Sequence, residues 1–195
     1  MKNMVTRFAI MSLCALSFVS IGCDKLNSLT EINVPITVTF NPAITTPTVL
    51  PHTAVPECND LSSNSKFNDN KDKVKSASIT DLTFQVTSYT GTPASAAATY
   101  DKIEYKLKFD PSYGDNKEYL LGSFTNVSVA TLMSGPQTIS VTDAALNAAV
   151  AQIKTRPKFC VLSTYTLKGG SGEITSMTSE LRLTFQLKVD GGSAL

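Results

Sequence analysis

Apolar and polar residues alternate one for one in several stretches of this chain, and each such stretch predicts a β-strand with one buried face. The first runs through Ile32, Val34, Ile36, Val38 and Phe40, with Asn33, Pro35, Thr37 and Thr39 between them. Pro35 has no N–H for a ladder, which predicts a place at a sheet edge. Leu82, Phe84 and Val86 stand opposite Thr83, Gln85 and Thr87, while Ile79 is on the other parity, so a bulge is expected near Thr80-Asp81. Ile103, Tyr105, Leu107 and Phe109 alternate with Glu104, Lys106 and Lys108, an apolar-in, charged-out strand. Asp110 to Asn116 has turn chemistry and Tyr119 to Phe124 returns, which predicts a hairpin. Phe159 to Leu167 is apolar on both faces near its start and reads as a central strand. Leu181, Leu183, Phe185, Leu187 and Val189 against Glu180, Arg182, Thr184, Gln186 and Lys188 form a closing strand.

The stretches between them differ in kind. Asn41 to Pro56 carries Pro42, Pro47, Pro51 and Pro56, which prevent a helix and suit a crossing from one sheet to another. Glu57 to Ser76 is expected as a solvated loop pinned by Leu61 and Phe67, and Tyr89 to Thr99 as a flexible loop. Gly169-Gly170-Ser171-Gly172 reads as a hairpin turn, because a phosphate loop needs a following helix and a strand pattern follows. One helix is expected from about Asp143 to Lys154, capped by Ser140 or Thr142 and stopped at Arg156-Pro157. Its stripe of Leu146, Ala149, Val150 and Ile153 falls at i, i+3, i+4 and i+7 and should cover a core. Six to eight strands with short turns predict an all-β chain, an antiparallel β-sandwich with one short helix, spanning 31–190, with 191–195 fraying.

The start of the chain has another character. Lys2 and Arg7 precede an apolar run from Phe8 to Ile21, too short to span a bilayer, which fits an export signal over residues 1–22. It ends in Ser20-Ile21-Gly22-Cys23, which resembles the lipobox of bacterial lipoproteins; Ser20 stands where that family more often has Leu. The resemblance covers this stretch alone. It implies that the Cys23 thiol takes a diacylglycerol, that the chain is cut before it, and that the new amine is acylated, with palmitate an expected chain. The protein would then be held on a bacterial membrane through lipid on Cys23, with 23–30 as the lipidated tether. The outer membrane, on its periplasmic or surface face, is the expected location. Asp24 decides nothing between membranes, since bacterial groups use an acidic residue there in different ways. The alternatives are an ordinary secretory signal with Cys23 as a thiol, and an uncleaved anchor. The sandwich itself is similar to the immunoglobulin-like or late-embryogenesis-abundant-like domains of many bacterial lipoproteins, although Trp is absent and Cys160 and Tyr165 are not at immunoglobulin spacing.

Charge adds an exclusion. Removing two of the 17 basic residues with the leader leaves 15 against 16 acidic ones, which gives no reason to expect nucleic acid. Of the 4 cysteines, Cys14 leaves with the signal and Cys23 is committed to lipid. Cys58 and Cys160 remain, and an even pair in an exported protein favours a disulfide; the alternative is a buried strand thiol at Cys160 and a separate loop thiol at Cys58. Such a loop of about a hundred residues would constrain the unfolded chain by up to about 4.7 kcal/mol. No CxxC indicates redox or zinc chemistry.

Catalytic signals are thin. His52 is the 1 histidine, set among prolines, so neither a His-assisted nucleophile nor a multi-histidine metal site is indicated. Asn68, Asn70 and Asp72 resemble the start of a calcium loop, but its Gly and closing Glu are missing. No catalytic residue, cofactor or metal is therefore expected. The expected role is a non-enzymatic binding or scaffold module of the envelope, whose partner is a protein or a glycan. The alternatives are a carrier of an apolar ligand between the sheets and a carboxylate-dependent envelope hydrolase, for which only carboxylate separation would speak.

Overall fold

A computed structural model describes residues 31–141, 144–168 and 172–191. The chain is mostly antiparallel β and its two sheets pack as a sandwich. In chain order the strands are β1 (Glu31–Phe40), β2 (Ala43–Ile44), β3 (Thr48–Val49), β4 (His52–Thr53), β5 (Glu57–Asp60), β6 (Val74–Thr92), β7 (Thr99–Phe109), β8 (Glu118–Ser128), β9 (Gln137–Thr138), β10 (Lys158–Leu167) and β11 (Glu173–Asp190). Among the described residues three short α-helices stand between them, α1 (Ser65–Asn70), α2 (Val129–Met133) and α3 (Ala144–Val150), with three single 3₁₀ turns besides.

One sheet has the order β1-β11-β6-β9, with β2 and β3 also on β11; the other has β4-β10-β7-β8, with β5 also on β10. The pairings make these sheets two halves of one object. Residues 31–60 run antiparallel to 190–158 throughout, first along β11 and then along β10. On the other side of 158–190 lie β6 and β7, and beyond them β9 and β8. The molecule is thus a four-stranded antiparallel ribbon folded across its middle. That strand order belongs to a double-sheet jelly roll, a sandwich other than the immunoglobulin one.

Hydrogen bonds carry the ribbon through its bends. Leu50 N–H donates to Gly172 O at 3.0 Å, Lys168 N–H to Thr99 O at 2.8 Å, and Val129 N–H to Ala98 O at 3.0 Å. Every strand is therefore linked to its neighbour where it changes sheet. The cis peptide bonds Leu50–Pro51 and Thr92–Pro93 also lie in bends. At Gly172 a Cβ would meet the end of the Leu167 side chain and lie 3.0 Å from Thr92 O, so a larger residue there would make both neighbours shift.

The inner faces hold the core. Phe40, Phe84, Leu183 and Phe185 from one sheet face Tyr105, Leu107, Phe109 and Phe159 from the other, all buried. Ring pairs join the sheets: Phe159 and Phe185 have centroids 5.3 Å apart, and Phe84 and Tyr105 5.2 Å. Aromatic contacts of this sort add to the stabilisation that burial gives.

Many expectations hold. Pro35 is on an edge strand, β10 is central, the 41–56 segment crosses between sheets, and β7 and β8 form the hairpin around Asp110 to Asn116. The bulge is at Thr80, which the register skips between Ile79 and Asp81. Helix α3 ends at Val150 rather than Lys154, with turns following to Thr155; Leu146, Ala149, Val150 and, in the turns, Ile153 are buried, and the helix packs on β6 and β8, while Thr142 and Asp143 lie outside the described residues.

Three expectations are corrected. The 57–76 stretch is not a loop: β5 joins the sheet, Asp60 caps a 3₁₀ turn through Ser62 N–H at 2.9 Å, and Asn64 caps α1 through Phe67 N–H at 3.1 Å. Leu61 and Phe67 are buried, as expected. Of the 89–99 loop, Tyr89 to Thr92 belongs to β6 and Thr99 to β7. The glycine-rich segment does not close a hairpin, because β10 and β11 lie in different sheets; Gly169, Gly170 and Ser171 themselves lie outside the described residues. Also outside are 1–22, 23–30 and 192–195.

The alternation makes a direct prediction. Phe185→Ala on the buried face should cost about 3–5 kcal/mol in denaturant unfolding. Lys188→Ala, three residues on and exposed, should stay within about 0.5 kcal/mol. Equal costs would contradict the assignment of faces.

Candidate functional site

The cysteine pair marks the one site the sequence proposed within the described residues. Cys58 of β5 and Cys160 of β10 are directly opposed in the ladder and joined by a disulfide, with Cα atoms 3.9 Å apart. Alternation turns both outward: Phe159 and Val161 are buried beneath, while Cys58 is exposed and Cys160 half-buried. The bond therefore lies on the outer face near the sandwich edge. It borders a cleft of about 230 Å³ lined by Cys58, Asn59, Asp60, Asp110, Lys158 and Cys160, with Phe159 at its floor.

The cleft carries two carboxylates, Asp60 and Asp110, and one ammonium, Lys158. Lys158 Nζ lies 3.7 Å from Asp60. Hydrogen bonds from Ser62, side chain first, hold the Asp60 carboxyl below its ordinary value, and Lys158 adds to this. Asp110 is lowered in the same way by Ser112, with Lys158 contributing. Asp110 holds the turn after β7 through Ser112 N–H at 2.8 Å, and Gly114 closes that turn with φ of 74°. On the disulfide's other side Lys108 of β7 is the ladder partner of Cys160.

Three further polar clusters stand out. Asp115 accepts from Lys117 N–H at 2.9 Å, the Tyr119 hydroxyl at 2.9 Å and Arg156 Nη1 at 3.0 Å, which together lower its carboxyl, the Lys117 amide most. Glu104 is lowered first by Lys102 and then by Lys106, which also bonds Glu118 at 3.1 Å. A general acid needs a raised carboxyl, whereas these four are shifted down.

The third cluster is internal. Tyr100, Tyr105 and Tyr165 are fully buried between the sheets with Ser163 and Ser179. The Tyr100 hydroxyl reaches Met177 Sδ at 3.2 Å and Ser179 Oγ donates to Pro42 O at 2.8 Å. Ser163, Ser179 and Tyr105 stand around the Tyr165 hydroxyl, yet among the described residues neither Tyr105 Oη nor Tyr165 Oη makes a hydrogen bond of normal geometry. Burial pushes the Tyr165 phenol up to about 12 and that of Tyr105 well above its ordinary value.

The remaining sequence candidates do not converge. His52 is half-buried on β4 opposite Tyr165. Asn68 and Asn70 turn their amides to the Ser62 and Lys66 carbonyls rather than outward. Among the described residues no three His, Cys, Asp or Glu side chains group as a metal site. Cys23 lies outside the described residues. Sequence reasoning missed Lys108, Lys158, Asp60 and Asp110 as neighbours of the disulfide. The outward parity that Lys108 shares with Cys160 was readable, but the pairing of their strands was not.

No family model matches the chain, and no curated protein does. Among solved structures it is similar to one titled Desmodium yellow mottle tymovirus, at 14% identity and TM-score 0.22 over 84% of this chain and 91% of that one. A structure of turnip yellow mosaic virus at 100 K gives 11% identity and TM-score 0.25 over 82% and 95%. Likeness this slight carries no argument.

Two predictions follow from the polar groups. A buried hydroxyl without a partner costs about 1–3 kcal/mol, so Tyr165→Phe should leave stability unchanged or raise it by about 1 kcal/mol in denaturant unfolding; a loss above that would mean the hydroxyl is satisfied. The lowered carboxyls of Asp60, Glu104, Asp110 and Asp115 favour folding above their unfolded pKa and lose that effect as pH falls through the lower folded values. Stability should therefore be level with respect to these groups above about pH 5 and fall below about pH 4. Unfolding at stepped pH checks this, and Asp115→Asn should weaken the acid loss.

Proposed function

We propose that this chain is a lipid-anchored lipoprotein of a bacterial envelope whose sandwich is a non-enzymatic binding or scaffold module. The observation that carries it is the charged start, the apolar run Phe8 to Ile21 and the closing Ser20-Ile21-Gly22-Cys23. Diacylglycerol plus an amide-linked chain on one residue gives stable attachment where a single chain is marginal. The seven residues Asp24 to Thr30 reach at most about 25 Å when extended. A domain on so short a tether stays close to its membrane.

The strand order supports one orientation of such a module. Glu31 pairs with Asp190 at one end of the ribbon, and Lys75 lies 4.0 Å and 3.6 Å from their carboxylates. The four bends gather at the opposite end of the folded ribbon. With the tether entering at Glu31, the bends face away from the lipid and form the surface available to an envelope protein or glycan. Exposed Val49 and Met133 sit beside two of these bends.

Mass spectrometry of the protein purified from its native host tests the anchor. The mature chain should begin at Cys23 and carry diacylglycerol with an amide-linked acyl chain, and Cys23→Ser should abolish both cleavage at that point and partition into detergent. A mature terminus elsewhere, or an unacylated Cys23, would overturn the proposal.

A further inference from the structure

We propose that the Cys58–Cys160 disulfide is a site of thiol–disulfide exchange in the folded protein, with attack directed to Cys58 and departure of Cys160. The inference goes beyond the anchoring proposal and holds whether or not Cys23 is acylated.

The direction follows from the row of side chains across the outer face. Read from the edge inward, that row is Cys58 on β5, Cys160 on β10, Lys108 on β7 and Glu118 on β8. A thiolate displaces a disulfide sulfur in line, approaching from the side opposite the sulfur that leaves. For attack on Cys58 that side is the open edge beyond β5, and Cys58 is exposed there. For attack on Cys160 it is the side toward β7, where Lys108 stands directly across the ladder, with Cβ atoms about 4.5–5.5 Å apart in such pairs.

Charge favours the same direction. The sulfur that leaves does so as a thiolate, and the lower its thiol pKa the faster it leaves. Cys160 has Lys108 beside it and Lys158 two residues earlier on the same face. Lys158 is engaged by Asp60 and also acts on Asp110, while Glu118, facing Lys108, is bonded to Lys106 at 3.1 Å. Lys108 is thus the cation best placed for a thiolate on Cys160. No ladder neighbour of this kind flanks Cys58, because β5 is the edge.

The fold need not open. Beneath the bond, Phe159 and Val161 point into the core and the β5–β10 ladder runs from Asp60 to Glu57. Leu61 and Phe67 also bury the segment that follows β5. These contacts are independent of the sulfurs.

The chemistry balances with a dithiol as reductant. One of its thiolates bonds to Cys58 Sγ as the S–S bond breaks, and that electron pair departs on Cys160 Sγ. The second reductant thiolate then displaces Cys58 Sγ, and Cys58 Sγ and Cys160 Sγ each take a proton from solvent. The dithiol ends as a disulfide and the protein as two thiols.

The oxidised protein is treated with dithiothreitol without denaturant while near-ultraviolet tyrosine dichroism reports the fold. Release of thiols should rise in proportion to dithiothreitol with the dichroism retained; a rate that saturates at that of unfolding would overturn the proposal. With limiting glutathione and an acid quench, peptide mass spectrometry should find glutathione on Cys58 and a free thiol at Cys160, and the reverse labelling would reject the direction. Lys108→Gln should slow the first step measurably, because a leaving thiol of higher pKa departs more slowly, and Lys108→Arg should restore it. A folded Lys108→Gln variant reacting at the original rate would remove the role given to that lysine.

Discussion

A strand with one apolar face must bury that face, and here a single ribbon buries it against itself. The alternating residues of β11, β6 and β1 on one half meet those of β10 and β7 on the other, and the fold line between the halves is where each strand changes sheet. Continuity at that line is what the rest depends on. If the Leu50–Gly172, Lys168–Thr99 and Val129–Ala98 hydrogen bonds failed, the two halves would lose their common register. Because side chains alternate with period two, a slip by one residue would turn a core face to solvent.

A folded ribbon still has two edges, and they are protected differently. Pro35, Pro42, Pro47, Pro51 and Pro56, five of the 9 prolines, all lie in the 31–60 edge, where the strands after β1 are also very short. Missing donors and interrupted strands deny a template to another chain. At the opposite edge β9 is two residues long, and α2 and α3 pack between β6 and β8. Prolines that look like a linker in the sequence thus serve as an edge.

The two faces divide the chemistry. Inside, the polar groups are neutral phenols and serines, consistent with the cost of placing charge where water cannot reach. Outside, Lys102, Glu104, Lys106 and Glu118 form a ladder of ion pairs, and exposed pairs of this kind contribute little each. The disulfide belongs to this outer face. Its position at the edge, beside Lys108 and Lys158 and on the face away from the core, separates its chemistry from the packing that holds the sandwich.

The sequence by itself determined which residues of the long strands face inward, the hairpin turn at Asp110 to Asn116, the bulge at Thr80, the edge position of Pro35 and the apolar stripe from Leu146 to Ile153, because these follow from local periodicity and from backbone donors present or absent. It also offered the Cys58–Cys160 pairing as one of two readings. Only the tertiary structure decided that β10 and β11 lie in different sheets rather than forming a hairpin, that β5 completes a sheet in a stretch polar enough to pass for a loop, and that Lys108 stands beside Cys160. Period two records that a face is buried but not which strand buries it, and pairs such as 58 with 160 or 108 with 160 are set by how the whole ribbon folds over.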